Sequence, residues 1–486
     1  MQEFAGDISH GWTFWWGPAK GRSKDVECYH THPTFGLARM ELIDTLVRAR
    51  WVLPVEPDAR VLEDHSVAIR AGRIVDVLPA DEAQLRYQAT ETLERSSHVL
   101  MPGLVDANAR ATGVLLRGRA GVAGPADAPD GPSWPHDRRS ADPEYVRDCT
   151  LLASAALQRA GVTCCADAQP WPDVAARTAS AAHIRASVGL MVAEGAIGWA
   201  ATADECIDRG MRLRDEYRGD PLVTMHFAPP APLATTDATL ARVRRLADEL
   251  DLPVILRLHE SAREIERSLR SFGRRPLSRL ATLGLVSPQL VALRFAHAAQ
   301  DEIEALALAG ASVVHCPTAD LAAATGHCPL ARLLGHGVRV ALGTDGFAAG
   351  NGLDVLGESR IAALLSAGVT SSPTAVVPSD LIRIATLEGA RVLGLGEVTG
   401  SLVAGKWADL CCLDLRAPRS WPVHDVTAAL VYSASSAQVT DTWVAGRRVL
   451  ADARLTQFDE TEVLERAEHW RMQLSANVTS GADADG

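Results

Sequence analysis

The chain has 486 residues, 47% of them hydrophobic and 22% charged, with a formal net charge of −12 and a pI near 5.7. That composition supports a large buried core and excludes global disorder, and the acidic balance argues against broad binding to nucleic acid or to an anionic membrane. No uninterrupted apolar run approaches the length a bilayer demands, and the nine cysteines show no CxxC spacing, so a reducing, cytoplasmic setting is expected.

Residues 1–39 stand apart. They are rich in aromatics, Gly and His, and include Trp12, Trp15, Trp16 and the only His-x-His of the chain, His30 and His32. They lack the basic start and apolar stretch of a signal peptide, and with no packing pattern they read as a poorly ordered extension. From Met40 to His98 short apolar runs alternate, among them LIDTLVRARWVLPV and SVAIRAGRIVDVLP, as in an antiparallel β unit. A matching set returns over residues 400–455, in GSLVAGKWADLCCLDL and AALVYSASSAQVTDTWVAGRRVL. The expectation is one small composite β-sandwich domain assembled from both flanks of the chain.

Between these flanks, residues 99–399 carry eight apolar runs separated by helical segments. The runs fall at 99–108, 161–168, 185–192, 222–229, 253–260, 291–298, 311–317 and 339–346. Eight such units predict an α/β fold, a (β/α)8 TIM barrel, and continuous apolar strands fit a parallel sheet covered on both faces. The first crossover, RAGVAGPADAPDGPSWPHDRRSAD, is crowded with Pro, Gly and Asp and reads as a long loop over the barrel mouth. Residues 456–486 read as a helix from Glu460 to Leu474 followed by a disordered tail.

In a barrel of this kind chemistry sits at the C-terminal ends of the strands. There this chain places Asn108, Arg110, Asp167, Arg257, Glu260, Arg294, His297, His315 and Asp345. LMPGLVDAN, GRRPLSRLATLGLV, VVHCP, LGTDG and GSLVAGKWADL, in that order, resemble the amidohydrolase superfamily. More closely they resemble its branch of triazine hydrolases and of methylthioadenosine, S-adenosylhomocysteine and adenosine deaminases, over about Met40 to Leu474. The resemblance implies hydrolysis of carbon–nitrogen bonds around one divalent metal, zinc or iron. In that family a strand-one His-x-His, a His three residues before a catalytic Glu on strand five, and an Asp ending strand eight hold the ion. A His ending strand six orients its hydroxide. The cation lowers the pKa of bound water, and the Glu shuttles the proton.

Carried over position by position, most of that apparatus is replaced. Asn108 and Arg110 stand at the two strand-one ligand positions, Arg257 at the strand-five ligand and Arg294 at the hydroxide-orienting His, while Glu260 and Asp345 are retained. No histidine falls between His98 and His136, and His259 and His297 lie beside the motif positions, not on them. The substrate-side segments also differ, with Pro229-Pro230-Ala231-Pro232-Leu233 in place of Pro-His-Ala-Pro-Tyr and Ala319-Asp320-Leu321-Ala322 in place of Ser-Asn-Leu-Lys.

A guanidinium stays protonated and offers donors only, so no catalytic metal and no other cofactor are expected. Arg110, Arg257 and Arg294 are instead expected to converge on Glu260 and Asp345, three positive groups against two negative, leaving a mildly cationic pocket. Three functions follow from this. The first is a pseudoenzyme with an arginine-filled metal site, acting as a homo-oligomer or beside an active paralogue. The second is an enzyme using Glu260, Asp345 or His315 for metal-independent acid/base work. The third is a binding module in which Arg110, Arg257, Arg294 and His315 hold a small anionic or purine-like ligand. Alone, His315 reads as a satisfied core histidine, Asp167 as structural and Cys316 as core.

Overall fold

The computed structural model describes residues 40–58, 60–117, 142–346 and 352–482, with side chains to Ser475. The expected N-terminal extension, with its tryptophans and its His-x-His, lies outside these residues, as does most of the Pro/Gly-rich first crossover.

Alternating apolar residues make four strands at the start: β1 (Glu41–Val52), β2 (Leu62–Arg70), β3 (Arg73–Pro79) and β4 (Tyr87–Pro102). β1 pairs antiparallel with β2 but parallel with β4, so the unit is mixed and not purely antiparallel.

The barrel follows as β5 (Leu104–Asp106), β6 (Val162–Ala168), β7 (Arg185–Met191), β8 (Val223–Ala228), β9 (Val254–Leu258), β10 (Leu290–Arg294), β11 (Ser312–His315) and β12 (Arg339–Leu342). Neighbours in this order pair in parallel. The first and last strands meet through Ala107 N donating to Leu342 O and Asp345 N donating to Asn108 O, at 2.9 and 2.8 Å. Each predicted apolar run coincides with one strand, except that the run 99–108 is divided. Val99–Pro102 closes β4, and only Leu104–Asp106 belongs to the barrel. The barrel therefore begins after Gly103. A Cβ there would lie 2.0–2.6 Å from Thr163 side-chain atoms, so the residue at this crossing must be glycine.

Side-chain alternation builds two barrel cores. Val105, Ala107, Cys164, Ala166, Ile255, Val291, Leu293, Val314 and Cys316 form the interior cluster, while Leu104, Cys165, Leu256 and Val313 join the larger core beneath the helices. The helices are capped by their own sequence. Asp142 accepts from Glu144 N ahead of Pro143–Arg159, Thr236 from Thr239 N ahead of Asp237–Leu250, and Ser261 from Glu264 N ahead of Ala262–Phe272.

The chain then returns to the first sheet. β13 (Leu410–Asp414) pairs with β4, and β14 (Val439–Val444), β15 (Arg447–Ala451) and β16 (Arg454–Leu455) extend it, giving one eight-stranded sheet from both flanks. GSLVAGKWADL is the joint between the two layers. Lys406 Nζ donates to Glu56, Ser401 and Gly396 O, and Asp409 takes both arms of Arg185 on β7, a pair whose side chains are 1% and 0% exposed.

The last helix spans Glu460–Ala482, eight residues past the expected Leu474, so SANVTSGA is helix and not tail. It docks through Trp470, whose Nε1 donates to Asp148 at 2.9 Å and whose ring meets Tyr145 edge-on. The eight described cysteines are buried and free, as their placement in apolar runs implied. No described helix is long and apolar enough to cross a membrane.

Candidate active-site face

The strand ends that carry the polar residues leave the extended conformation abruptly. Arg110 (φ 47°), His259 (φ 54°), Arg294 (φ 73°), Phe295 (φ 49°) and Asp345 (φ 45°) all adopt left-handed backbone. Such conformations cost a non-glycine residue about 1–3 kcal/mol each and persist where the surroundings over-determine them. Here they turn side chains across the barrel mouth. Gly343, in LGTDG, permits a close approach, since a Cβ would lie 2.8 Å from Asn108 Cβ.

Arg294 is the hub. Its Nη1 lies 2.6 Å from Glu260 Oε1 and 3.3 Å from Asp345 Oδ2, and its Nε donates to Asp320 Oδ1 at 2.6 Å. Its Nη2 donates to Ala319 O and Thr325 Oγ1. Arg110 Nη1 donates to the other oxygen of Asp345 at 2.8 Å. All of these groups except Arg110, which is partly exposed, are buried, the Arg294 side chain being 4% exposed. Burial alone would lower the Arg294 pKa, but the carboxylates of Glu260, Asp345 and Asp320 outweigh it and hold the group charged. Burial likewise pushes the Asp345 carboxyl up, yet Arg110 and Arg294 together keep it below its ordinary value.

Two expectations need correction. Arg257 joins the others only at the margin: its closest carboxylate oxygen, Glu260 Oε2, is 4.0 Å away, too far for a hydrogen bond. Its Nη1 is buried without a hydrogen-bond partner, and burial pushes its pKa down. Asp320, unassigned from sequence, completes the cluster, so three acids and not two stand among the three guanidinium groups, and burial pushes the Asp320 carboxyl up to about 7. A signal was available in hindsight, an acid in the helical turn Pro317–Ala322 directly after VVHCP.

His315 is buried but not satisfied. Neither ring nitrogen has a hydrogen-bond partner, Nδ1 stands 3.8 Å from Asp320 Oδ2, and burial pushes the ring down to about 3, so it is neutral. Asn108 turns its amide to Cys316 Sγ at 3.7 Å, and burial holds that thiol far above the reactive range. Asp167 accepts from Ala111 N and Gln169, a loop-fixing arrangement. His259 and His297 are engaged elsewhere, His259 between Leu277 N and Glu302, and His297 with Thr325 O. In GRRPLSRL, Arg275 grips Glu302 and Arg279 binds the carbonyls of Pro232 and Thr235 in the altered PPAPL segment. Sequence reasoning also missed Asp106, which accepts from Thr344 Oγ1 at 2.6 Å, Thr344 N and Asn108 N and latches β5 to the loop after β12.

The donor set does not fit a divalent ion. Guanidinium groups present only hydrogens, and both oxygens of Asp345 already face one. Among the described residues no three His, Cys, Asp or Glu side chains are grouped as metal ligands.

A closed parallel barrel with charged side chains at its C-terminal rim, joined to a sheet from both chain flanks, is the amidohydrolase architecture. The amidohydrolase family model matches residues 99–449, and the chain belongs to that family. The 5-methylthioadenosine/S-adenosylhomocysteine deaminase of Teredinibacter turnerae is 37% identical over 434 residues, 89% of this chain and 98% of the relative. The crystal structure of an adenosine deaminase from Xanthomonas campestris with bound zinc shares 41% identity at a TM-score of 0.86, covering 90% of this chain and 100% of that one. The fold is also that of atrazine chlorohydrolase from Arthrobacter aurescens, at 21% identity and a TM-score of 0.78 over 88% of this chain and 100% of that one.

Proposed function

We propose that this deaminase-like amidohydrolase has lost metal-dependent hydrolysis and acts as a pseudoenzyme with an arginine-filled metal site. One observation carries the reading: Arg294 holds both retained acids, Glu260 at 2.6 Å and Asp345 at 3.3 Å. The hydrolytic reaction needs a cation that acidifies water and a carboxylate free to take the proton. Guanidinium supplies the positive charge of the ion without its open coordination sites. It also cannot release a proton near neutral pH, so Arg294 cannot stand in for the histidine it replaces. The curated relatives are deaminases of purine nucleosides, which supports descent from such an enzyme.

The test is the metal content of dialysed protein by mass spectrometry, beside turnover of adenosine, 5-methylthioadenosine and S-adenosylhomocysteine. The expected result is metal far below one per chain and no ammonia release. Stoichiometric zinc or iron with turnover overturns the reading.

A further inference from the structure

We infer that Arg257 is the recognition residue for an organic carboxylate bound at the barrel mouth. The inference rests on the metal-free reading above, because an ion held by Asp345 would reorganise the same side chains.

The other two arginines at the site are committed to protein partners. Arg294 spends Nε on Asp320, Nη1 on Glu260 and Asp345, and Nη2 on Ala319 O and Thr325. Arg110 is tied to Asp345. Arg257 forms no hydrogen bond with any described residue, although its side chain is only 12% exposed and its Nη1 is fully buried. A charged donor removed from water without a replacement partner is costly, so such a group marks a vacancy that a ligand can fill. The vacancy is not isolated. Glu264 Oε1 in the helix after β9, both nitrogens of His315 at the end of β11 and Asp320 Oδ2 in the helix after it are also buried without partners. The polar demand of this face is therefore incompletely met by the protein itself.

Geometry and charge together select the ligand class. Arg257 ends β9, a rigid barrel strand, and a guanidinium fork matches the two coplanar oxygens of a carboxylate. Glu260 does not compete well, since its Oε2 is 4.0 Å from Arg257 while its Oε1 is drawn to Arg294 at 2.6 Å. The cluster already sets the acids Glu260, Asp320 and Asp345 among its three guanidinium groups. A monoanion adds one charge beside Glu260 and Asp345, and a phosphate dianion adds two. The site consequently favours a carboxylate over a phosphate.

The experiment titrates dialysed, full-length protein with 4-fluorobenzoate, read by 19F NMR, with inorganic phosphate compared at matched ionic strength. Metal content is measured on the same sample. Saturable binding of 4-fluorobenzoate is expected, weakened about tenfold or more in Arg257→Met, with phosphate binding more weakly. Arg257→Lys keeps the charge but loses the fork, and is expected to weaken binding measurably while folding normally; if Arg257→Met fails to fold, this variant decides. Metal-free protein that does not bind 4-fluorobenzoate, binding unchanged in both variants, or phosphate binding as tightly overturns the carboxylate assignment alone. Stoichiometric metal instead overturns the reading on which it rests.

Discussion

Arg110 Nη1 and Asp345 Oδ1 lie 2.8 Å apart across the seam where the first and last barrel strands close on each other. Both residues hold left-handed backbone, and Asp345 N donates to Asn108 O beside them. The ion pair is thus part of barrel closure as well as of the charge cluster.

This arrangement ranks the arginines by stability. Arg294→Met strands buried Asp320, leaves Glu260 with only Arg257 at 4.0 Å and Asp345 with only Arg110, and a loss of about 3–5 kcal/mol is expected in urea unfolding. Arg110→Met leaves Asp345 still facing Arg294 and should cost less, about 1–3 kcal/mol. Equal losses would mean that Arg294 is not the hub.

Restoring ligands tests the metal argument from the other side. The combined variant Asn108→His, Arg110→His, Arg257→His and Arg294→His, with Asp345 and Glu260 untouched, replaces one amide and three donor-only guanidinium groups by imidazoles. Stoichiometric zinc is expected in the folded variant, measured by mass spectrometry, against none in the parent. A folded variant without zinc would show that the backbone no longer frames an ion.

Asp106 gives the cluster a pH signature. Burial pushes its carboxyl up to about 6, above the value near 4 expected for the unfolded chain. Between those limits the folded state binds more protons, so this group's contribution to stability falls as pH rises from about 4 to about 6. Asp106→Asn cannot ionise. The wild-type stability minus that of the variant should therefore drop by about 2–3 kcal/mol across that window. A flat difference curve would contradict the burial argument.

The glycine of PGLVD is open to a double-mutant cycle. Gly103→Ala forces a methyl against Thr163 and should destabilise by about 1–3 kcal/mol, while Gly103→Ala with Thr163→Gly, which also removes the Cβ at 2.6 Å, should cost less than the sum of the single losses. Additive losses would place the constraint in the backbone instead.

The barrel was legible because parallel strands buried on both faces write continuous apolar runs. The same continuity hid the boundary in VLMPGLVDAN, where two strands of different sheets share one run and only Gly103 separates them. The arginines were legible because motifs flank them. So were Glu260 and Asp345 as their partners, but Asp320 was not, because it reaches Arg294 only through a six-residue helix and a left-handed turn at Arg294 that no residue type announces. The missing partners of His315 were equally invisible, since hydrogen-bond satisfaction is set by neighbours distant in sequence. The extra turns after Leu474 contain Ser, Asn, Val, Thr and Gly, weak helix formers that argued for a stop the structure does not make.

The sheet shared by both flanks has a consequence for how the protein is made. Ser97 on β4 bonds Asp414 on β13, 317 positions later in the chain. At ordinary translation speeds the edge of β4 waits on the order of half a minute on the ribosome while the whole barrel emerges. That edge is an open template for the wrong strand throughout. A polypeptide released before β13 never covers it, so closing that edge depends on strands made only after the whole barrel.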